Sequence, residues 1–390
     1  MSVGGNGARD LRRNGLPAPQ PDPFEYRLNR LLALATSPRR LLNYIKYRRS
    51  RRSVDPDYLP VRLDVENVSR CNFRCTMCQV SDWPKLKRAE DMSLEDFKRL
   101  LDEQYGLLEV KVQGIGEPTL GRDTFFEMLR YARSKRIWTR TTTNASLLHL
   151  KDNYRKLVDS GVNDIQISID GATKATFEKI RRGSHFETVV ANCKLLNGYA
   201  RERGRGHRVR MWICLQRDNI HEFFDFVPLA RDMGFTRMTY ALNLNDWGQE
   251  KWNALNRAVT IEEQVAPAMT GEAMRLGRAT GVEVTFWNNT ARYSTASPAD
   301  VCPWPFDRAY VASDMRIVPC CIIGNPEVAD LGDARRLTAE WRGGTYEKFR
   351  RAHLEGRIPQ VCRGCYESQV APTVPPTVTA EDVGEREQHP

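Results

Sequence analysis

The chain has 390 residues, enough for one large α/β domain and a smaller appended one, and 41% of them are hydrophobic. The formal net charge is +10, but residues 1–52 alone hold twelve Arg or Lys and only three Asp or Glu. Because the rest of the chain is nearly neutral, this distribution argues against a nucleic-acid-binding protein. No apolar run is long enough to span a bilayer, and the amino terminus lacks a secretory signal. We therefore expect a cytoplasmic protein without a membrane span.

The amino-terminal region is predicted to contain two parts. Residues 1–23 are rich in Gly, Pro and Arg, which predicts disorder. Residues 24–58 form a basic helical extension whose periodicity breaks near Ser37 and Pro38. The favoured interpretation is a pair of helices packed on the outside of the main domain. Contact with an anionic surface or partner is the alternative.

Strands alternate with helices across the predicted main domain, residues 59–245. The predicted strands are 63–67, 109–114, 137–143, 164–169, 209–215 and 237–242, and the predicted helices are 94–105, 122–135, 147–160, 187–203 and 221–233. This alternation predicts an α/β fold with a parallel sheet and right-handed crossovers. Periodicity alone leaves a doubly wound sheet and a full or partial barrel open, and both bind ligands at the carboxyl ends of the strands.

Three further segments follow the main domain. Residues 246–295 look mainly helical and are predicted to be a bridge. Residues 296–370 form a small domain that carries five of the ten cysteines among short strands and turns. The tail, residues 371–390, is rich in Pro and Thr and then acidic, which predicts disorder.

Three cysteines, Cys71, Cys75 and Cys78, lie in one short loop after the first predicted strand. We call them the first cysteine group. Thiolates at these spacings can wrap one inorganic centre, and clustered cysteines in a reducing compartment indicate metal binding before disulfides. An iron–sulfur cube with three protein ligands leaves one iron open, as a catalytic centre requires. The alternatives are a zinc site that borrows a distant ligand and a set of unliganded buried thiols.

The run Cys71–Cys78 resembles the C-x3-C-x2-C signature of the radical S-adenosylmethionine (SAM) enzymes. This resemblance implies a partial (β/α)6 TIM-like barrel, bound SAM and a catalytic 4Fe–4S cluster that generates a 5′-deoxyadenosyl radical. The family often has an aromatic residue before the third cysteine, near the adenine. Met77 stands here instead, and its soft apolar side chain can fill that place.

Other residues at strand ends resemble segments that line the cofactor pocket of this family. The run Gly114-Ile115-Gly116-Glu117 resembles its Gly-Gly-Glu element, which implies that Glu117 meets the amino group of the cofactor. The alternative for each of these positions is an ordinary turn or cap. The predicted cofactor-binding residues are Met77, Gly114, Gly116, Glu117, Asn144, Ser168, Asp170 and Asn219.

A second set of cysteines lies near the carboxyl end of the chain. From spacing alone, four thiolates in this layout suit either structural zinc or a second cluster. The pattern also resembles the SPASM or twitch auxiliary-cluster domains of the same superfamily, with Asp314 at the turn of a strand pair. This implies one auxiliary 4Fe–4S cluster. Its predicted ligands, which we call the second cysteine group, are Cys302, Cys320, Cys362 and Cys365.

Three cysteines remain outside these two groups. Cys193, Cys214 and Cys321 are most simply small buried apolar residues. Cys214, on the fifth strand, and Cys321, beside the auxiliary site, are also candidate hydrogen-atom donors to a substrate radical, which would make the enzyme an epimerase.

The resemblance specifies the radical step more closely than the substrate. The first hypothesis is hydrogen abstraction from a small molecule, carbohydrate-like or aminocyclitol-like, that leads to dehydrogenation, epimerisation or decarboxylation. The second is a peptide-modifying maturase, and the third is a non-catalytic, zinc-stabilised binding protein. A flavodoxin or ferredoxin is the implied electron donor.

Overall fold

The computed structural model describes residues 16–261, 265–288 and 292–366. Its main feature is a ten-stranded sheet, with a separate two-stranded pair formed by β2 and β6. The predictions of disorder for residues 1–15 and 371–390 lie outside the described residues. The strands are β1 Arg62–Val65, β2 Arg74–Cys75, β3 Glu109–Val112, β4 Trp138–Thr143, β5 Asp164–Ser168, β6 Arg181–Arg182, β7 Val209–Cys214, β8 Arg237–Ala241, β9 Glu283–Trp287, β10 Arg308–Val311, β11 Arg316–Val318 and β12 Gly332–Asp333.

The strands of the main domain are connected by helices and run parallel, so the predicted α/β fold is confirmed. The sheet order is β12-β11-β10-β1-β3-β4-β5-β7-β8-β9, and each pair from β1 to β9 is parallel. None of the helices in the described ranges is long and apolar enough to cross a membrane. The helices are α1 Pro23–Ala35, α2 Pro38–Ser50, α3 Leu94–Glu103, α4 Arg122–Ser134, α5 Asn153–Asp159, α6 Lys174–Ile180, α7 Phe186–Glu202, α8 Phe226–Asp232, α9 Glu250–Val259, α10 Pro267–Thr280, α11 Trp304–Asp307, α12 Leu337–Trp341 and α13 Gly344–Leu354.

The two faces of the sheet differ in chemistry because side chains alternate along each strand. Leu63, Val65 and Val110 lie on the face that packs against the helices, in one core with Phe97 and Phe125. The residues between them on β1 and β3 are charged and lie on the opposite side, which we call the inner face. The sheet therefore has an apolar helical side and a polar inner side.

Loops that follow strands in different parts of the sheet contact one another. The Trp247 indole, in the loop after β8, donates to the carbonyl of Met77, in the loop after β1, over 2.9 Å. Gln79, just beyond Met77, donates to the carbonyl of Ile323 near the carboxyl end of the chain over 2.9 Å. These contacts close the sheet into the partial barrel that the family resemblance implies.

The predicted helical bridge, residues 246–295, is only partly helical. It contains α9 and α10, but residues Glu283–Trp287 form strand β9, which pairs with β8 along five residues. Val284 and Phe286 alternate with polar neighbours, which is a strand pattern. The prediction of a mainly helical bridge is wrong for these five residues, which follow a long helix.

The carboxyl-terminal hairpin belongs to the main sheet. β10 pairs with β1 in parallel, and β11 returns antiparallel to it, with Asp314 at the turn as predicted. The strands of the predicted small domain therefore extend the sheet of the main domain, because β10 occupies the open edge beside β1.

The amino-terminal segment closes the lower end of the sheet, where the parallel strands begin. The carbonyl of Pro17 accepts from the Phe286 amide over 2.8 Å. The carbonyl of Gln20 accepts from Arg210 over 3.0 Å and also from Arg237. Residues 16–22 thus make defined contacts, which corrects the predicted disorder of this part. The predicted pair of helices is confirmed, since α1 ends and α2 begins around Ser37, whose hydroxyl caps α2.

Candidate functional site

The loop that carries the first cysteine group is fixed to the rest of the sheet end by backbone hydrogen bonds. Cys75 lies on β2, which pairs antiparallel with β6 so that Cys75 stands opposite Arg181. The Thr76 amide donates to the Ile180 carbonyl over 2.9 Å, and the Cys71 amide donates to the Leu86 carbonyl over 3.2 Å. Backbone hydrogen bonds therefore hold the loop at Cys71 and at Thr76.

The three thiols of this group lie close enough to influence one another. Burial raises the pKa of each thiol, and neighbouring thiols add to the rise for Cys71 and for Cys78, whose pKa reaches about 12. Bound metal offsets this cost because it stabilises the thiolate. No three His, Cys, Asp or Glu side chains in the described part of the chain converge on one point suited to a single ion. An iron–sulfur cube instead gives each thiolate its own iron. The donor set fits such a cluster.

A buried ion pair lies directly beside Cys75. Arg181 and Asp170 meet at 2.6 Å, with side chains 8% and 0% exposed. The other carboxylate oxygen of Asp170 accepts from the Cys214 amide over 2.7 Å. The Asn219 amide donates to the carbonyls of Asp170 and Cys214 over 3.0 and 2.9 Å. The structure thus brings together three predicted site residues, Asp170, Cys214 and Asn219. The charged partner of Asp170 is Arg181, which no sequence motif indicated.

Glu117 is buried and its carboxylate is already used within the chain. One oxygen accepts from the hydroxyls of Thr119 and Thr143 over 2.6 and 2.5 Å, and the other accepts from the Asn144 amide over 2.7 Å. These contacts join the end of β3 to the end of β4. In the structure, this carboxylate positions the two strand ends. The contact between Glu117 and the cofactor stays a prediction.

The predicted glycines allow the strand ends to pack against the cysteine loop. A Cβ on Gly116 would lie 2.3 Å from the Arg70 carbonyl oxygen and 2.6 Å from that of Val68. A Cβ on Gly114 would lie 2.1 Å from the Glu66 side chain. Glycine lacks a Cβ and so permits a close approach of the backbone to neighbouring groups. In the structure, the close approach is to the backbone and side chains that precede Cys71.

Asn144 links β4 to the cysteine loop. Its side-chain amide donates to Asn72 over 3.0 Å, and Asn72, inside the cysteine motif, donates to Ser146 over 2.9 Å. Ser168 ends β5 on the inner face, in register with Trp212. Met77 is 9% exposed, and its backbone carbonyl accepts from Trp247. Asn144 thus contacts the loop of the first cysteine group, and Met77 lies within it, while the direct cofactor contacts of these residues and of Ser168 stay predictions.

The second cysteine group is also assembled by the fold. Burial raises the pKa of each of these thiols, and that of Cys320 is raised further by Cys321, Cys362, Cys365 and Cys302. The Cys302 amide donates to the Tyr366 hydroxyl over 3.0 Å, which holds this end of the group next to Cys365. Four thiols gathered in this way fit a complete cluster.

The spare cysteines lie in different surroundings. Cys193 is fully buried in the core, as expected for a small apolar residue. Cys214 is close to Arg181 and Cys75, on the side of the first cysteine group. Cys321 is close to Asp64 and Lys111 on the inner face. Of the two candidate hydrogen-atom donors, Cys321 is therefore the one beside the charged inner face.

Two family models match the chain. The model described as the radical SAM superfamily matches residues 68–227, and the SPASM model, described as an iron-sulfur cluster-binding domain, matches residues 302–366. Together they cover more than half of the chain and contain both cysteine groups. They imply SAM, a catalytic 4Fe–4S cluster and auxiliary iron–sulfur binding.

Curated relatives match parts of the chain. A GTP 3′,8-cyclase from Saccharophagus degradans is 33% identical over 134 residues, which are 33% of this chain and 39% of that protein. The mycofactocin maturase MftC from Mycolicibacterium smegmatis is 25% identical over 210 residues, 53% of this chain and 50% of that protein. The chain thus spans about half or less of the length of these two relatives.

Solved structures share the fold. SuiB from Streptococcus suis, bound to its precursor peptide SuiA, superposes with a TM-score of 0.58 and 16% identity, over 74% of this chain and 66% of SuiB. The protein anSMEcpe with bound AdoMet gives 0.54 and 16% identity, over 80% of this chain and 92% of that one. At these identities the likeness concerns the fold alone.

Proposed function

Because the chain belongs to the radical SAM superfamily and carries a C-terminal SPASM domain, we propose that it is a peptide-modifying enzyme. When bound and reduced, the catalytic cluster and SAM supply a 5′-deoxyadenosyl radical that abstracts hydrogen from the substrate. The observation that carries the radical step is the first cysteine group, three thiols on one anchored loop within the matched region. The peptide substrate is supported by the likeness to mycofactocin maturase over 210 residues.

The chain's own residues hold and shield this chemistry. We propose that Cys71, Cys75 and Cys78 ligate the catalytic cluster. The Arg181–Asp170 pair keeps a guanidinium beside Cys75, where it balances the negative charge of a thiolate-bound cluster. Glu117 and Gly116 fix the strand ends against the loop, so the geometry is set before the substrate arrives.

The second cysteine group is proposed to hold an auxiliary 4Fe–4S cluster. Its thiols are Cys302, Cys320, Cys362 and Cys365. Cys320 is proposed as the ligand because the family resemblance implies it, and its thiol is influenced by those of Cys302, Cys362 and Cys365 as well as by that of Cys321.

A small polar molecule is the second candidate substrate. The sequence alone favours a carbohydrate-like or aminocyclitol-like compound, and the comparisons support the peptide alternative better. The charged inner face supports the small-molecule hypothesis, because a polar compound needs charged or hydrogen-bonding partners when it leaves water.

A flavodoxin or ferredoxin in the cytoplasm is the proposed electron donor. Arg74 and Arg182 are exposed, stand opposite each other on β2 and β6, and flank Cys75. Neither has an ion-pair partner among the described residues. A positive surface next to the cluster loop is complementary to an acidic donor. Charge reversal of both arginines should slow turnover driven by flavodoxin and leave turnover driven by dithionite unchanged.

The experiment that tests the substrate class uses anaerobically reconstituted enzyme, SAM and dithionite. Short peptides encoded beside the gene form one set of substrates, and sugar or aminocyclitol compounds form the other. A mass change in a peptide, together with more 5′-deoxyadenosine than the enzyme releases alone, supports the proposal. Stimulation by a small molecule and by none of the peptides would contradict the peptide assignment and leave the radical step intact.

A further inference from the structure

A continuous belt of ion pairs crosses the inner face of the sheet. Arg62 lies 3.5 Å from Glu109, Glu109 lies 3.3 Å from Arg140, and Arg140 lies 3.1 Å from Asp164. Asp164 continues the belt to Arg210 at 3.5 Å. Each charge in this belt therefore has an opposite charge beside it. The amino-terminal segment covers the belt at the end of the sheet where the strands begin, through the contact of Gln20 with Arg210.

Toward β1 and β10 the inner face is different, although the same register row runs from Asp164 and Arg140 of the belt to Lys111 and Asp64. Tyr310, Asp64 and Lys111 are register neighbours across β10, β1 and β3, and we call them the inner triad. Asp64 is 7% exposed and Tyr310 is 1% exposed. The Tyr310 hydroxyl has no hydrogen-bond partner within the described ranges. Asp64 and Lys111 form no hydrogen bond or ion pair with the residues described, although each lies within electrostatic range of the other and of Arg140.

Leaving such groups unpaired is costly. A buried polar group without a hydrogen-bond partner destabilises the folded chain, and the buried Asp64 and half-buried Lys111 lose hydration without gaining such a partner. Burial raises the pKa of Asp64 and lowers that of Lys111, so the low-polarity surroundings disfavour both charges. The adjoining belt pairs its inner-face charges with one another within the chain. Three unpaired groups side by side indicate that a bound molecule completes them.

The inner triad also lies near the chain segments that carry the two cysteine groups. Cys321, next to the second cysteine group, is close to both Asp64 and Lys111. Glu66, two residues beyond Asp64, leads into the loop of the first cysteine group. The triad is thus next to chain segments that carry both groups of thiols.

We propose that Asp64, Lys111 and Tyr310 bind a substrate group in which an anionic oxygen stands next to an amine or a hydroxyl. Lys111 and Tyr310 donate to the anionic oxygen, and Asp64 accepts from the neighbouring donor. This inference rests on the proposed radical function, because it assigns the part of the substrate held beside the reacting position. An acidic peptide side chain next to a serine and a small phosphorylated or carboxylated molecule both present this chemistry.

The test uses pyridoxal 5′-phosphate as a probe of the reconstituted holoenzyme with saturating SAM. Its phosphate supplies the anion, and its aldehyde condenses with an unprotonated lysine amine, with loss of water. Borohydride then reduces the imine to a stable amine for peptide mass spectrometry. We expect Lys111 to be labelled about tenfold faster than the exposed Lys348, the factor that one charge-assisted contact supplies. Tyr310→Phe should slow labelling of Lys111, and Lys348→Met should leave it unchanged.

Two competitors distinguish the sources of the anion. If a short Glu-Ser peptide protects Lys111 from labelling at a lower concentration than inorganic phosphate does, the substrate group belongs to a peptide. If phosphate protects at the lower concentration, the substrate is a small molecule. Labelling of Lys111 no faster than Lys348, or protection by neither competitor, would overturn the proposal. The same samples are assayed for 5′-deoxyadenosine release without substrate. Its absence in the wild-type enzyme would overturn the radical function, whatever the labelling result.

Discussion

A buried ion network joins the cysteine loop to the carboxyl-terminal hairpin, and its removal gives the sharpest stability prediction. Glu66, at the end of β1, accepts from Arg88 over 2.6 Å and from the Ser313 amide over 3.1 Å. Arg88 also donates to Asp314 over 2.7 Å. The Glu66 and Arg88 side chains are 0% and 5% exposed, so almost no water reaches the pair.

Substitution of Arg88→Met leaves the Glu66 carboxylate buried without its cation. The loss of one partner from a buried pair costs about 3–5 kcal/mol, and we expect the free energy of unfolding to fall by that amount. Burial already raises the pKa of Glu66, and Arg88 opposes this rise. In the variant the folded carboxyl holds its proton to a higher pH than the unfolded chain does. The variant should therefore lose stability as the pH rises above the ordinary range of a glutamate.

The assay is urea unfolding followed by tryptophan fluorescence, with iron content measured on the same samples. The double variant Glu66→Gln/Arg88→Met removes both charges and should recover most of the loss. Arg351→Met is the matched control, because its pair with Glu347 is 48% and 44% exposed and should cost less than about 1 kcal/mol. A cost for Arg88→Met as small as that of the control would refute this reasoning.

Three further predictions concern cluster assembly and the spare thiols. Gly116→Ala should lower the iron content after reconstitution, because the new Cβ would lie 2.3 Å from the carbonyl oxygen of Arg70; Gly271→Ala, with nothing within 4 Å, is the control and should keep full iron. Cys193→Ala should keep about eight iron per chain, as two cubes require, and a loss of four would show that this thiol is a ligand. Cys321→Ala should keep the same iron content. If this thiol donates a hydrogen atom, the variant should lose deuterium incorporation from D2O into product, and unchanged incorporation would exclude that role.

The sequence predicted the parts of the fold that depend on local pattern. Strand β4, predicted as 137–143, is Trp138–Thr143, and helix α7, predicted as 187–203, is Phe186–Glu202. These elements have strong periodicity and clear ends. The loop of the first cysteine group follows β1 as predicted, because the alternating pattern of that strand stops just before the cysteines begin.

The sequence could not predict contacts between residues far apart in the chain. Arg181 lies eleven residues after Asp170, and nothing in the surrounding sequence indicates that its side chain returns to that carboxylate. The same holds for Arg88 and Asp314, which are separated by 226 positions. The inner triad became visible only through strand register, since β10 adds to the sheet beside β1 and brings Tyr310 next to Asp64.

The central claim is that the first cysteine group supports reductive cleavage of SAM. The most direct measurement is 5′-deoxyadenosine released from SAM under dithionite by anaerobically reconstituted protein, compared with a Cys71→Ala/Cys75→Ala/Cys78→Ala variant. We expect release by the wild-type chain and none by the variant, while the second cysteine group still binds iron in both. Equal release by the two proteins, or none by a fully reconstituted wild-type chain, would contradict the claim.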